Sequence, residues 1–188
     1  VQRMLFDHEP AANGGLSKDG KTVTWKLKRG VTWHDAKPFT ADDCVFNWEY
    51  VKDPATSAVW ISSYSNVVVK KIDSHTVEVT YQKATPFWAD PFVGTRGMLI
   101  PKHLFADFIG AKSRDAPTTL KPVGTGPYKF VDFKPGDMVR AEIYTNYHVA
   151  NRPYFDTIEM KGGGDAVSAA RAVIQTGEYD YAWNTQVE

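Results

Sequence analysis

Leu27-Lys28-Arg29-Gly30-Val31-Thr32-Trp33-His34-Asp35-Ala36-Lys37-Pro38-Phe39-Thr40-Ala41-Asp42-Asp43, running on into Val45-Phe46-Asn47-Trp48, is the stretch on which the fold turns. Ahead of it, Thr22 to Lys28 alternates strictly, with Val23, Trp25 and Leu27 on one face and Thr22, Thr24, Lys26 and Lys28 on the other. That is the period of a half-buried strand. Behind it, Thr40 is placed to cap a helix, and Asp42 and Asp43 put negative charge in the first turn, where free amides and the helix dipole favour it. Val45, Trp48 and Val51 recur at helical spacing and are expected to face the core. Asp53-Pro54 closes the helix, because the residue before proline avoids helical dihedrals.

Working outward, Asn13-Gly14-Gly15 and Asp19-Gly20 are turn signals, the second suggesting a hairpin with the preceding segment. Val67 to Ile72 and Thr76 to Tyr81, joined by Asp73-Ser74-His75, read as two strands with one face buried. Pro86-Phe87-Trp88 reads as a short helical turn, Gly97 to Ile100 as a brief strand, and Pro101 as the first residue of a helix through Phe108. A polar loop follows from Gly110 to Thr119. Tyr128–Phe130 and Val139–Ile143 suggest a hairpin across Lys134-Pro135-Gly136-Asp137, and Phe155 to Met160 a further strand. Asp165 is placed to cap a helix from Ala166 to Thr176 with Gly177 at its stop, and Tyr179 to Trp183 is expected as a closing strand. The order is mixed α and β without the βαβα rhythm of a dinucleotide fold.

Composition narrows the function classes. Hydrophobic residues make up 43% of the 188, so a real core is expected, and 22 basic residues cancel 22 acidic ones. The cancellation removes the electrostatic footprint that nucleic-acid binding needs. No apolar run approaches a membrane span. Cys44 is alone, so no internal disulfide forms and no zinc site rests on thiolates. Six Trp and nine Tyr fill cores in most proteins and also line concave binding surfaces. The chain opens on Val1-Gln2-Arg3 and closes on Gln186-Val187-Glu188, and reads as a fragment.

His8, His34, His75, His103 and His148 are too far apart in sequence for a local metal cluster. His34-Asp35 as a dyad is disfavoured because neighbours on extended backbone point to opposite faces. There is no Gly-x-Ser-x-Gly elbow. Gly124-Thr125-Gly126-Pro127 is superficially like a phosphate loop, but Pro127 lacks the amide a phosphate would use and a strand follows it. In Lys161-Gly162-Gly163-Gly164 the lysine precedes the glycines, so it is no Walker motif. The residues call for neither a catalytic mechanism nor a cofactor.

Three blocks, in order, resemble the solute-binding proteins of peptide-type ATP-driven importers, the oligopeptide- and dipeptide-binding family. The first is Leu27 to Asp43 running into Trp48. It departs from the family pattern at Ala36, where glycine is usual, so that turn is expected to manage without a positive φ. The second is Pro122-Val123-Gly124-Thr125-Gly126-Pro127-Tyr128-Lys129-Phe130, followed by Lys134-Pro135-Gly136-Asp137 and Asn146-Tyr147. The third is Ala169 to Asp180, a helix ending in Gly-Glu and an aspartate.

The resemblance implies a mixed α/β, periplasmic binding protein-like type II fold, of which this chain is a partial first lobe. Residues 1–100 would be the inserted subdomain of lobe I and residues 101–188 part of its main sheet, with the second lobe and the C-terminal return absent. It implies an extracytoplasmic, non-enzymatic component of an ABC transporter, periplasmic or a cell-surface lipoprotein. That component captures peptides by two-lobe closure and delivers them to membrane permease subunits, with no cofactor. Other cargoes known in the family are opines, glutathione, sugars and nickel complexes; a hydrolase on a similar sheet is a more distant reading.

Ligand contacts are expected, by the same resemblance, at Trp60 for stacking, in the Gly94-Thr95-Arg96 stretch with Arg96 pairing a carboxylate, and at Asn184. Gly124 to Tyr128 is read as structural, a close backbone approach with Pro127 opening an edge strand. Half of a two-lobed shell exposes its cleft face, so the chain alone is expected to be marginally stable or to self-associate.

Overall fold

The computed structural model describes residues 5–7, 10–56, 58–59, 61–94, 97–162 and 164–183. Two three-stranded antiparallel sheets organise them. The first contains β1 (Thr22–Lys26), β2 (Val67–Asp73) and β3 (Thr76–Tyr81) in the order β1-β3-β2. Its register pairs Val23 with Val79, Trp25 with Val77, Val67 with Tyr81 and Val69 with Val79; Val68, opposite Thr80, is exposed on the reverse, and the paired apolar residues share one face. That face is the core, joined by Leu27, Val31, Trp33, Phe39 and Phe92. The Asp19-Gly20 turn does fold residue 16 back on residue 23, as an isolated bridge between Leu16 and Val23.

Helix α1 (Ala41–Lys52) covers this sheet. Its start is a capping box: Thr40 Oγ1 accepts the Asp42 amide and Asp43 accepts the Thr40 amide at 2.9 Å. The buried residues are Ala41, Asp43, Cys44, Phe46 and Asn47, whereas Val45, Trp48 and Val51 are partly buried rim residues packed against the core. The expected stripe is therefore off by part of a turn. The reason is that α1 is covered on two sides: Cys44 faces the sheet, while Phe46 joins Phe105 and Ala116 in a second cluster. Between the two lie Asp43 and Asn47, which bind the backbone where the chain crosses at residues 100–102. Asn47 accepts the Ile100 amide at 3.0 Å and donates to the Ile100 carbonyl, and Asp43 accepts the Lys102 amide at 3.0 Å. A buried polar group costs free energy unless it is bonded, and these two are.

Several short elements differ from expectation. Gly97 to Ile100 is irregular rather than a strand: the Gly97 amide turns back to Gly94 O, and the amide and carbonyl of Ile100 are taken by Asn47. Pro101 caps α2 (Lys102–Phe105) instead of standing inside it, and the helix stops at Phe105. The helical turn expected at 86–88 forms at Asp90–Phe92, and the polar loop holds 3-10 turns at Gly110–Asp115 and Pro117–Thr119.

The second sheet is the meander β4 (Tyr128–Lys134), β5 (Met138–Ile143) and β6 (Thr157–Lys161). A bulge at Val131 rephases β4, so that Phe130 pairs with Ala141 and Phe133 with Val139 on the same face. Ile158 and Met160 lie on that face too, opposite Ala141 and Val139. The reverse face carries the ion pairs Lys129–Glu142 at 2.8 Å and Arg140–Glu159 at 2.7 Å. Helix α3 (Ala166–Ile174), capped by Asp165, buries only Ala170 among its described residues. The strand expected at Tyr179 to Trp183 does not form; those residues are bends, and the Trp183 ring is 92% exposed.

Candidate functional site

Two places in this fold gather polar side chains against aromatic ones. The first is a joint between the sheets. Residues 31–39 form a small hairpin in which Trp33 donates its amide to Lys37 O and Phe39 donates to Val31 O. The loop closes through the Ala36 amide onto Trp33 O at 2.8 Å, and Ala36 takes φ 67°. A three-residue loop of this kind needs a left-handed residue before the strand resumes. The expectation that Ala36 avoids a positive φ is thus corrected: the turn keeps its geometry and the alanine bears the steric cost, about 1 kcal/mol.

The tip of this hairpin docks on the Gly124–Tyr128 block. His34 donates its amide to Gly124 O at 2.9 Å, its ring Nδ1 accepts the Gly124 amide at 3.2 Å, and Nε2 reaches Gly126 O at 3.0 Å. Tyr144 stacks edge-on to the imidazole, with centroids 5.0 Å apart, and its hydroxyl bonds Trp33 O at 2.8 Å and Thr32 Oγ1 at 2.7 Å. Next along the turn, Asp35 pairs with His103 Nε2 at 2.6 Å. Burial opposes the Asp35 charge, but the bonds from His103 and the Lys37 amide prevail and lower its pKa. His34 and Asp35 therefore serve different partners and form no dyad, and both ring nitrogens of His34 are engaged by backbone.

The second place is an open groove of about 570 Å³ at the far end of the first sheet. Ser62, Asn66, Gln82, Lys83, Phe87 and Asp90 line it. Two tyrosines fix its floor by clamping the segment that carries Phe87 and Asp90. Tyr64 donates to Pro91 O, and Tyr81 donates to Trp88 O at 2.8 Å. Burial raises the pKa of both phenols, and Asp90 raises that of Tyr81 further. Phe87 is largely exposed, a ring presented to solvent beside amide and hydroxyl groups. Such a wall suits a ligand with stacking surface and backbone-like hydrogen bonds. Sequence reading did not single out these groove residues; an aromatic directly after Pro86 in an irregular segment was the available signal.

The four expected ligand residues, Trp60, Thr95, Arg96 and Asn184, lie outside the described residues. Their sequence neighbours are described. Ile61–Ser63 is a 3-10 turn entering the groove wall. Gly94 and Gly97 bracket Thr95 and Arg96, with the Gly97 amide on Gly94 O at 3.2 Å. A Cβ at Gly97 would stand 2.1 Å from the Val93 nitrogen, so only glycine fits there. Among the described residues no cluster of three or more His, Cys, Asp or Glu is placed to hold a metal.

Comparison with solved structures defines the class of fold. The chain superposes on the oligopeptide-binding protein AppA of Bacillus subtilis in complex with a nonapeptide, with a TM-score of 0.75 and 25% identity, over 94% of this chain and 37% of that one. It also superposes on NikZ of Campylobacter jejuni in complex with Ni(L-His), with a TM-score of 0.76 and 26% identity, over 87% of this chain and 32% of that one. The fold is that of a type II periplasmic binding protein, and the chain accounts for part of it.

Residues 9–188 match the model of the bacterial extracellular solute-binding proteins, family 5 middle region, and the chain belongs to that family. By sequence it is 31% identical to AppA of Bacillus subtilis over 184 residues, covering 96% of this chain and 32% of AppA. It is 29% identical to the dipeptide-binding protein of Escherichia coli over 182 residues, covering 87% of this chain and 33% of that protein. The chain thus spans about a third of the length of these relatives. No described helix is long and apolar enough to cross a membrane.

Proposed function

We propose that this chain is part of the extracytoplasmic solute-binding component of an ABC importer, and that its cargo is a peptide. The observation that carries this is the family match over residues 9–188 together with likeness to a relative solved around a nonapeptide. The component sits in the periplasm or on the cell surface as a lipoprotein, closes two lobes on its ligand, and presents it to membrane permease subunits. It uses no cofactor, binds no nucleic acid and catalyses no reaction. Residues 1–100 form the inserted subdomain of the first lobe, and residues 101–188 contribute to that lobe's main sheet.

In this reading Trp60 stacks on cargo, Thr95 and Arg96 contact it, and Asn184 bonds its backbone. Arg96 meets a carboxylate in bidentate geometry. A second reading, the same capture applied to a non-peptide solute, draws on the likeness to NikZ, a protein solved with Ni(L-His). Native mass spectrometry of the full-length protein, followed by denaturation, separates the two. A mixture of released peptides is the expected result. A single non-peptide compound overturns the peptide cargo, and turnover of a released ligand overturns the binding role.

A further inference from the structure

We propose that His34 is a pH-sensitive latch between the two sheets, closed while its imidazole is neutral and opened by acid. The partners fix the tautomer. The Gly124 amide is an obligatory donor, so Nδ1 facing it at 3.2 Å must be the bare nitrogen. The Gly126 carbonyl is an obligatory acceptor, so Nε2 at 3.0 Å must carry the proton. A second proton can only go on Nδ1, where it would point at another N–H. The imidazolium therefore loses one of its two bonds and leaves the Gly124 amide unpartnered at a half-buried joint.

Charged and polar groups face the imidazole from several elements. Burial acts first and lowers the His34 pKa. The Gly126 carbonyl favours the cation, Lys129 on β4 opposes it, and Asp35 on the same hairpin favours it. Lys129 is itself paired with Glu142 on β5, Asp35 is paired with His103 on α2, and the Tyr144 ring packs edge-on against the imidazole. The balance is a depressed pKa. For a histidine buried neutral, the unfolded or undocked state binds more protons. The latch is therefore fully closed above the ordinary histidine pKa of about 6.5 and is lost as pH falls below that value towards the depressed one.

The latch is specific to the joint. Neither sheet's internal pairing involves His34, whereas its amide and both ring nitrogens bind the segment leading into β4. Acid should loosen the docking of one sheet on the other before either unravels.

The test is an imidazole nitrogen NMR titration of the full-length protein, with amide exchange at about pH 7.5 and about pH 5. Expected are the Nε2–H tautomer at neutral pH and a His34 midpoint below that of free histidine. The Gly124 amide should shift with the same midpoint, and in acid the protection factors of the His34 and Tyr144 amides, exchange being corrected for its intrinsic pH dependence, should fall while those of Val77 and Val79 hold. In His34→Asn the side-chain oxygen can still accept from Gly124 but does not titrate, so the pH dependence of the joint's protection factors should vanish. In His103→Gln it should persist. The opposite tautomer, a midpoint at the free-histidine value, or an unchanged pH dependence in His34→Asn overturns the proposal. Should His34→Asn fail to fold, the wild-type titration and its Gly124 shift decide alone.

Discussion

The two sheets have equal numbers of strands and the same antiparallel pairing, yet they differ in what lies over them. In β1-β3-β2 the apolar face is sealed by α1, by the 31–39 hairpin and by Phe92, and Val23, Val77 and Val79 are inaccessible. In β4-β5-β6 an equally consistent apolar face, Phe130, Phe133, Val139, Ala141, Ile158 and Met160, is left half open, with Met160 at 55% exposure. Both sequences alternate as strands should. The difference teaches that alternation specifies a face and leaves open what will cover it. Between the sheets the connection is a small polar joint with His34 and Tyr144 at its centre, a layer of hydrogen bonds in place of a shared core.

The largest test of that contrast is truncation on either side of it. Trp33→Ala removes a side chain that is 1% exposed and should lower stability by about 3–5 kcal/mol in urea unfolding. Met160→Ala on the open face should change it by less than about 0.5 kcal/mol. Equal costs would mean that the second face is covered after all.

Asp43→Ala comes next, because its carboxylate receives the Thr40 and Lys102 amides while itself only 4% exposed. A loss of about 3 kcal/mol is expected, from a broken cap and an orphaned crossing segment. A cost below about 1 kcal/mol would show the crossing at residues 100–102 to be held by other contacts.

Tyr144→Phe keeps the ring against His34 and deletes the hydroxyl that bonds Trp33 O and Thr32. It should cost about 1–2 kcal/mol. The loss should appear as earlier amide exchange in β4 and β5, with β1 and β3 unaffected. Uniform acceleration across both sheets would break the distinction between core and joint.

Ala36→Gly is the smallest effect and has the opposite sign. Relief of the positive φ outweighs the added freedom of the unfolded chain, giving a gain of about 0.5–1 kcal/mol in thermal or urea unfolding. A loss would mean that the Ala36 methyl makes packing contacts worth more than the strain it carries.

Much of the first region was legible because its signals are local. The alternation in Thr22 to Lys28 and in Thr76 to Tyr81, the Thr40 cap with Asp43 and the stop at Asp53-Pro54 each depend on neighbours within a few residues. The buried side of α1 was not, since Cys44 and Phe46 face different clusters and a single periodic stripe cannot describe a helix covered twice. Likewise, Gly97 to Ile100 and Tyr179 to Trp183 read as strands by composition, but a strand needs a partner and the structure offers neither one. The expected ligand residues Trp60, Thr95, Arg96 and Asn184 came from resemblance, whereas the Phe87 groove emerged only when separated segments were brought together.

The sequence by itself determined the family through its ordered motifs, and the strand faces and the Thr40 and Asp165 caps, because these are written in spacing and in local sterics. Tertiary structure alone decided that His34 binds Gly124 and Gly126 while Asp35 binds His103. It alone left one apolar face sealed and the other open. The physical reason is that hydrogen-bond partners more than 60 positions apart in the chain, and the burial of a face, depend on which surfaces meet, and no local pattern carries that information.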